Sequence, residues 1–150
     1  MTYPLAFSTW GKEEVDAIQR VIDTDMYTMG KHVKQFEKEF AEIFGSPHAI
    51  MVNSGSSANL LMLSLLKWKY KLSGDIIVPV VGWATTFFPV SQNGFKLNFV
   101  DVDPNTWNID VTKIEEAITP ETCAIMPVNL LGNSCDYSKI SELCNKHKLL

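Results

Sequence analysis

Three segments of the chain carry residue types and spacings that could bind or transform a ligand. The first is the run Asn-Ser-Gly-Ser-Ser-Ala-Asn at positions 53–59, between a predicted strand and a predicted helix. A helix N-terminus presents unpaired N–H groups and a partial positive charge, and small residues let an anion approach them. Ser56 and Ser57 add hydroxyl donors, so a bound phosphate is one interpretation. The other is that Ser56 or Ser57 only caps the helix.

Three better-known ligand motifs do not fit this run. A P-loop needs lysine directly after its last glycine, and the first lysine after the run is Lys67. A nucleophile elbow needs glycine at the position of Asn59. The glycine spacing of a dinucleotide fingerprint is missing as well.

The second segment, positions 79–86, follows a predicted strand and contains Trp83. Open α/β sheets place their ligands beyond the carboxyl ends of their strands, where a tryptophan can form a flat wall for an aromatic ligand. The alternative is a tryptophan packed in the core. The third segment contains the carboxylates of Asp101 and Asp103, which could do acid–base chemistry. Their Val-Asp-Val-Asp-Pro-Asn context favours the end of a strand and a turn.

The chain has an odd number of cysteines, and they are widely spaced: Cys123, Cys135 and Cys144. This pattern favours free thiols and a reducing compartment over a disulfide framework. Cys144 and His147 would share a helix face, but a zinc site needs at least one further ligand. We therefore expect free thiols and no metal.

The composition describes one ordinary globular domain. The chain has 150 residues, of which 46% are hydrophobic and 20% charged, and its net charge is −4. This charge argues against nucleic acid or a polybasic membrane patch as the main target. The N-terminus lacks the basic and apolar regions of a signal peptide, so we expect a cytoplasmic protein. The ending on Leu149 and Leu150, read as the start of a strand, predicts an N-terminal fragment of something longer.

Strands and helices alternate along the chain. The residue patterns predict helices at 12–23, 33–44, 57–72, 85–92, 112–118 and 138–147, and strands at 49–52, 76–78, 96–102 and 123–128. The helix at 57–72 is apolar nearly all round, which predicts that it is buried. Such alternation is typical of an α/β fold with a mostly parallel sheet flanked by helices.

Several motifs, in order, resemble a known family across nearly the whole chain. They are Tyr27–Gly30 with Val33, Phe36 and Glu37, then Asn53–Ala58, Gly74–Pro79, Phe99–Asp103 and Asn108–Asp110. This order is similar to that of the pyridoxal-phosphate-dependent sugar aminotransferases of fold type I, the DegT/StrS type. The resemblance implies that residues 1–150 are the N-terminal portion of the cofactor-binding large domain, and that the full-length enzyme is a homodimer.

Within the family, the chain looks most like the branch of 3-dehydratases that act on GDP-4-keto-6-deoxymannose. The stretches that suggest this are Tyr3–Ala6 with Ser8–Trp10, Ser54–Leu61, Trp83–Thr86 with Pro89, and Asn129–Asn133. Typical aminotransferases of the family carry threonine in place of Ser56 and a His-Leu-Tyr-Gly run in place of residues 129–132. The resemblance therefore implies loss of the C3 hydroxyl from a nucleotide-linked keto sugar, with transamination of its 4-keto group as the alternative.

Carried over by position, Gly55, Ser56 and Ser57 would hold the phosphate of pyridoxal or pyridoxamine 5'-phosphate, and Trp83 would stack on its ring. The family's catalytic lysine, or the histidine that replaces it in the dehydratases, matches no position in this sequence, and neither does its pyridinium-pairing aspartate. No catalytic residue is thus expected here, and the segment alone is predicted to be inactive. The resemblance further implies an amino donor such as glutamate. A non-catalytic phosphate-binding or interaction module is the remaining alternative.

Overall fold

The computed structural model describes residues 7–150, so Tyr3–Ala6, which contribute to the resemblance, lie outside the described residues. The chain divides into two compact units, Met1–Met51 and Val52–Leu150. No helix within residues 7–150 combines the length and the apolar character that crossing a membrane requires.

The first unit contains two amphipathic helices, α1 (Lys12–Ile22) and α2 (Lys31–Ile43). At the start of α1, the backbone N–H of Gly11 donates to the carboxylate of Glu14 at 2.7 Å, which satisfies one of the free groups of a helix end. After α2, Gly45 takes a positive φ of 61°, a conformation that favours glycine just beyond a helix. Both helices agree with the predictions to within two residues.

The second unit is an α/β layer structure. Its elements are α3 (Gly55–Trp68), β1 (Asp75–Pro79), α4 (Ala84–Gln92), β2 (Lys96–Val100), α5 (Val111–Ala117), β3 (Thr122–Ile125), a 3₁₀ turn (Leu130–Gly132) and α6 (Tyr137–His147). The three strands form a parallel sheet in the order β2-β1-β3. Because β1 is central, all five of its residues are buried. The predicted α/β fold with a parallel sheet is confirmed.

Helices cover the sheet on both faces, and the alternation of side chains along β1 separates the two cores. Ile76 and Val78 point to one face, where they pack with residues of α3 and α4. Ile77 points to the other face, where it packs with residues of α5 and α6. Leu63 of α3 and Leu143 of α6 are among the most deeply buried residues of the respective cores.

A buried carboxylate holds the amino ends of the strands together. Asp75, at the start of β1, accepts hydrogen bonds from Asn98 of β2 at 3.2 Å and from Thr122 of β3 at 2.8 Å. Thr119, just before β3, donates a third at 2.9 Å. These partners offset the cost of burying the carboxylate and connect all three strands.

Beyond α6, the backbone returns to the sheet. The N–H of Ile125 donates to the carbonyl of Leu150 at 2.8 Å, and the N–H of Leu150 donates to the carbonyl of Cys123 at 3.2 Å. Residue 150 therefore pairs with the outer side of β3, as expected for the predicted strand after α6.

Two predictions about the second unit and its boundary were wrong. Residues 49–52 form no strand, because no strand in the described part of the chain lies beside them to complete a ladder. The helix predicted at 57–72 runs over Gly55–Trp68, and only Leu63 on it is buried. One side of α3 packs on the sheet, while Leu61, Leu65 and Trp68 remain exposed.

Candidate functional site

The N-terminus of α3 is capped by Ser54. The hydroxyl oxygen of Ser54 accepts a hydrogen bond from the backbone N–H of Ser57 at 3.2 Å, and the Ser54 hydroxyl donates to the Ser57 hydroxyl at 3.3 Å. The interpretation of Ser56 or Ser57 as the cap is therefore wrong. Both residues lie inside the first turn of the helix, where Ser56 and Ser57 are only partly exposed.

The two backbone amides before Ser57, those of Gly55 and Ser56, are available to a ligand. Within residues 7–150, nothing accepts a hydrogen bond from the N–H of Gly55 or Ser56. A Cβ atom added to Gly55 would meet nothing within 4 Å, so the glycine leaves open space in front of these amides. Two free amides at the positive end of a fourteen-residue helix, beside serine hydroxyls, form a suitable environment for a phosphate.

Trp83 occupies the N-cap position of α4, four residues after the end of β1. Its backbone carbonyl accepts a hydrogen bond from the N–H of Thr86 at 2.8 Å, which fixes the start of the helix. Its side chain is 77% exposed. Trp83 is therefore not a core residue in this chain, and its indole is free to contact a flat ligand.

Hydrogen bonds between α3 and α4 bring the two candidate segments to the same end of the fold. The side-chain amide of Asn59 donates to the carbonyl of Thr85 at 3.3 Å, and the Ser64 hydroxyl donates to the Asn93 amide oxygen at 2.9 Å. The two helices thus run in the same direction. The first turn of α3 and the first turn of α4, which Trp83 precedes, consequently lie side by side.

Asn59 is the residue whose role the sequence analysis missed. It was included in the polar run at 53–59, but no function was assigned to it. The signal was an amide side chain inside the predicted helix at 57–72, which requires a hydrogen-bonding partner if it packs against a neighbour. The partner is 26 residues away along the chain, so only the tertiary structure identifies it.

The strand order creates a crevice at this edge of the sheet. The connection that leaves β1 passes through α4 on one face, and the connection that leaves β3 passes through α6 on the opposite face. Neighbouring strands whose connections diverge in this way form a topological switch point, where open α/β sheets bind their ligands. The loop with Trp83 lies at the carboxyl end of β1, beside this crevice.

The carboxylates of Asp101 and Asp103 lie where the sequence placed them, at a strand end and a turn. Asp103 accepts hydrogen bonds from the backbone N–H groups of Asn105 at 2.6 Å and Thr106 at 3.3 Å. The pKa of Asp101 is lowered by the backbone N–H of Val102 and by the ammonium group of Lys113. A carboxylate held ionised in this way is a poor general acid.

The cysteines are free thiols with raised pKa values. Burial raises the pKa of Cys123, Cys135 and Cys144, which disfavours the reactive thiolate. His147, the residue considered with Cys144 as a metal ligand, has its Nε2 atom 3.0 Å from Glu115 Oε1. Within the described residues, no group of three potential metal-ligating side chains occurs.

The fold and the site together define a class: α/β proteins that have a helix N-terminus with unbonded backbone amides and an exposed aromatic residue at the carboxyl edge of a parallel sheet. Comparison with known proteins gives the family. The model of the DegT/DnrJ/EryC1/StrS aminotransferase family matches residues 8–150, and the chain belongs to this family.

Individual proteins of known name are similar to this chain over nearly its whole length. GDP-4-keto-6-deoxy-D-mannose 3-dehydratase from Yersinia pseudotuberculosis is 52% identical over an alignment of 147 residues, which covers 95% of this chain and 37% of that protein. GDP-perosamine synthase from Caulobacter vibrioides is 38% identical over an alignment of 138 residues, which covers 91% of this chain and 37% of that protein. A crystal structure of GDP-4-keto-6-deoxymannose-3-dehydratase with trapped PLP-glutamate aligns with a TM-score of 0.91 and 48% identity, over 99% of this chain and 40% of that one. The chain thus spans well under half the length of these relatives.

Proposed function

We propose that these 150 residues are the N-terminal portion of the cofactor-binding large domain of a longer enzyme. The full-length enzyme binds pyridoxal or pyridoxamine 5'-phosphate and removes the C3 hydroxyl from a nucleotide-linked 4-keto-6-deoxy sugar. This reaction belongs to deoxysugar synthesis for polysaccharides such as lipopolysaccharide. The assignment to the N-terminal portion of a longer enzyme is supported by length, since the chain covers 37–40% of the length of these relatives.

One observation carries the choice of reaction. The identity to the Yersinia 3-dehydratase is 52%, against 38% to the perosamine synthase. A difference of this size over nearly the same residues favours the dehydratase branch. Ser56 and the Asn129–Gly132 stretch point the same way, because both differ from what is typical of the aminotransferases.

The residues of this chain fit the phosphate of the cofactor. We assign the backbone amides of Gly55 and Ser56 and the hydroxyls of Ser56 and Ser57 to it, because the amides have no acceptor within the described residues and Gly55 leaves room in front of them. The positive end of α3 stabilises a dianionic phosphate there. These groups supply affinity and orientation.

Trp83 is assigned to one face of the cofactor ring. Its exposed indole lies at the start of α4, and α4 runs beside α3. Stacking on one face holds the ring at a fixed angle and excludes water from that side. When bound, the cofactor supplies an electron sink through its pyridine ring. No catalytic residue is assigned within residues 1–150.

The substrates and the assembly are proposed from the family to which the chain belongs. The proposed substrates are a nucleotide-linked keto sugar and an amino donor such as glutamate, and the proposed assembly is a homodimer. The Yersinia relative's name specifies a GDP-linked sugar, and the aligned crystal structure contains PLP-glutamate. The three free thiols agree with a cytoplasmic location.

Transamination of the 4-keto group is the second candidate, favoured by the family's own description as aminotransferases. The experiment that separates the two gives the full-length enzyme GDP-4-keto-6-deoxymannose and glutamate, followed by mass spectrometry of the sugar product. Dehydration yields a product that lacks one oxygen, and transamination yields an amino sugar that contains an added nitrogen.

The two controls of this experiment are omission of glutamate and omission of the cofactor. A stable 4-amino sugar would move the protein to the transaminase branch. Absence of both cofactor binding and turnover would contradict an enzymatic role and leave a non-catalytic phosphate-binding module.

A further inference from the structure

The loop that leads from β1 into α4 contains a close approach between a glycine and an aromatic ring. Gly82 directly precedes Trp83, the N-cap residue of α4, and Phe87 is the fourth residue of that helix. A Cβ atom added to Gly82 would lie 3.1 Å from Cζ of Phe87 and within 4 Å of both its Cε atoms. The tip of the ring therefore lies against the main chain of Gly82, with too little room for a side chain between them.

These two positions are the ones at which a hydrophobic staple forms. In a staple, the residue before the N-cap packs against the fourth residue of the helix, and this contact fixes the angle at which the chain enters the helix. Because the first position is Gly82, the ring of Phe87 packs on the main chain itself. Trp83 follows Gly82 directly, so the contact acts on the residue next to it.

Phe87 is also anchored away from the loop. It is half-buried and packs against the core between α3, α4 and the sheet. Its ring meets that of Phe99 in β2 edge to face, with centroids 5.4 Å apart and an interplanar angle of 73°. This is a favourable geometry for an aromatic pair. A ring with these contacts is a firm support, and a methyl group added at Gly82 would displace the loop more than the ring.

Hydrogen bonds fix the two ends of the loop and leave Gly82 between them. Before it, the N–H of Val80 donates to the carbonyl of Val100 at 2.8 Å. After it, the N–H of Thr86 donates to the carbonyl of Trp83 at 2.8 Å. Among residues 7–150, Gly82 takes part in no backbone hydrogen bond outside these ends. Packing against the ring is therefore what positions this part of the loop.

We propose that Phe87 is a positioning residue for the cofactor site: its ring, packed on Gly82, sets the angle at which Trp83 faces the cofactor ring. This inference rests on the proposed function, which assigns Trp83 to that ring. Aromatic groups attract each other in particular offset and tilted arrangements, so the angle of the indole matters. A loop that is already supported also loses less entropy when the cofactor binds.

The test disturbs the contact from each side in the full-length enzyme. Phe87→Leu removes the tip of the ring, and Gly82→Ala places a methyl group against it. Each variant should raise Kd for pyridoxal phosphate roughly fivefold, the loss expected when one aromatic stacking contact is lost. The double variant should recover most of that loss, because a methyl group and a leucine side chain at these positions form an ordinary staple. Absorbance titration measures Kd.

A second measurement separates positioning from general stability. Phe87→Leu is repeated in a Trp83→Ala background, where it should change Kd no further, because a residue that acts through Trp83 has nothing left to position. Leu97→Ala is the matched control, since Leu97 packs against the same core as Phe87. It should lower the thermal midpoint and leave Kd unchanged.

The outcomes distinguish this inference from the proposed function. If Trp83→Ala weakens binding while Phe87→Leu and Gly82→Ala do not, the inference is overturned and the proposed function stands. A loss that persists in full in the Trp83→Ala background also overturns it, as does an equal loss of affinity in Leu97→Ala. Unchanged Kd in Trp83→Ala itself overturns the assignment of Trp83 to the cofactor ring, and this inference with it.

Discussion

The side-chain amide of Asn59, in the second turn of α3, donates a hydrogen bond of 3.3 Å to the backbone carbonyl of Thr85 in the first turn of α4. This bond holds together the starts of two helices that supply different parts of the proposed cofactor site. Ser64 and Asn93 make the equivalent connection further along the pair, at 2.9 Å. The Asn59–Thr85 hydrogen bond therefore lies close to the proposed cofactor site, and the Ser64–Asn93 hydrogen bond lies away from it.

Asn59→Ala is expected to weaken cofactor binding in the full-length enzyme. Loss of the bond should cost about 1 kcal/mol of stability and a similar amount of binding, close to a fivefold rise in Kd, because the two helix starts are no longer held in register. Ser64→Ala should cost comparable stability and leave Kd unchanged. Thermal unfolding and cofactor titration by absorbance measure the two effects, and equal Kd values for both variants would contradict the assignment.

Trp83→Ala should affect binding more than stability. Stacking on the cofactor ring predicts a loss of about 1 kcal/mol or more in affinity, while a side chain that is 77% exposed contributes little to folding in this chain. Trp68→Ala is the control, since Trp68 is 71% exposed at the far end of α3. Cofactor titration of both variants is the measurement. A large loss of stability with unchanged affinity would show that Trp83 packs as a core residue in the full-length enzyme.

Gly55→Ala tests the phosphate site separately from the ring site. The added methyl group meets nothing within 4 Å, so the fold should tolerate it. It would occupy space assigned to the phosphate, and weakening a charge-assisted hydrogen bond predicts about a tenfold loss of affinity. The affinity for pyridoxal, which lacks the phosphate, should stay the same. An equal loss for both compounds would contradict phosphate binding at Gly55.

The contact of Glu115 in α5 with Lys146 and His147 in α6 is expected to depend on pH in the acid range. Hydrogen bonds from Lys146 and then His147 lower its pKa to about 2. A carboxylate whose pKa is lowered on folding adds stability above its unfolded pKa of about 4.3, and loses it as the pH falls through the folded value. The difference in thermal midpoint between wild type and Glu115→Gln should therefore be full at pH 6 and shrink between about pH 4.5 and 2. A difference that does not change with pH would contradict the ion pair.

Periodicity along the chain was enough to predict most of the fold. The run at 76–78 was predicted as a strand because short apolar runs between turns are typical of buried parallel strands, and it forms the buried centre of the sheet. Helical spacing of Phe36, Phe40 and Phe44 predicted α2 because a helix brings residues four apart onto one face. These signals are local, so a single sequence contains them.

Two features were not predictable from local patterns: how much of α3 is buried, and whether residues 49–52 form a strand. Apolar character shows that α3 has surface to bury, but whether a partner covers that surface depends on residues far along the chain. For the same reason, an apolar run of strand length at 49–52 becomes a strand only if another strand lies beside it.

The sequence by itself determined the chemistry of the candidate site: small residues and hydroxyls at 55–57, a tryptophan after a strand, and the family to which these motifs belong. The tertiary structure decided which of these groups are neighbours. It placed the starts of α3 and α4 side by side through the hydrogen bond between Asn59 and Thr85. The physical reason is that residue type is a local property, whereas proximity arises from hydrogen bonds and packing between segments that are distant in the chain.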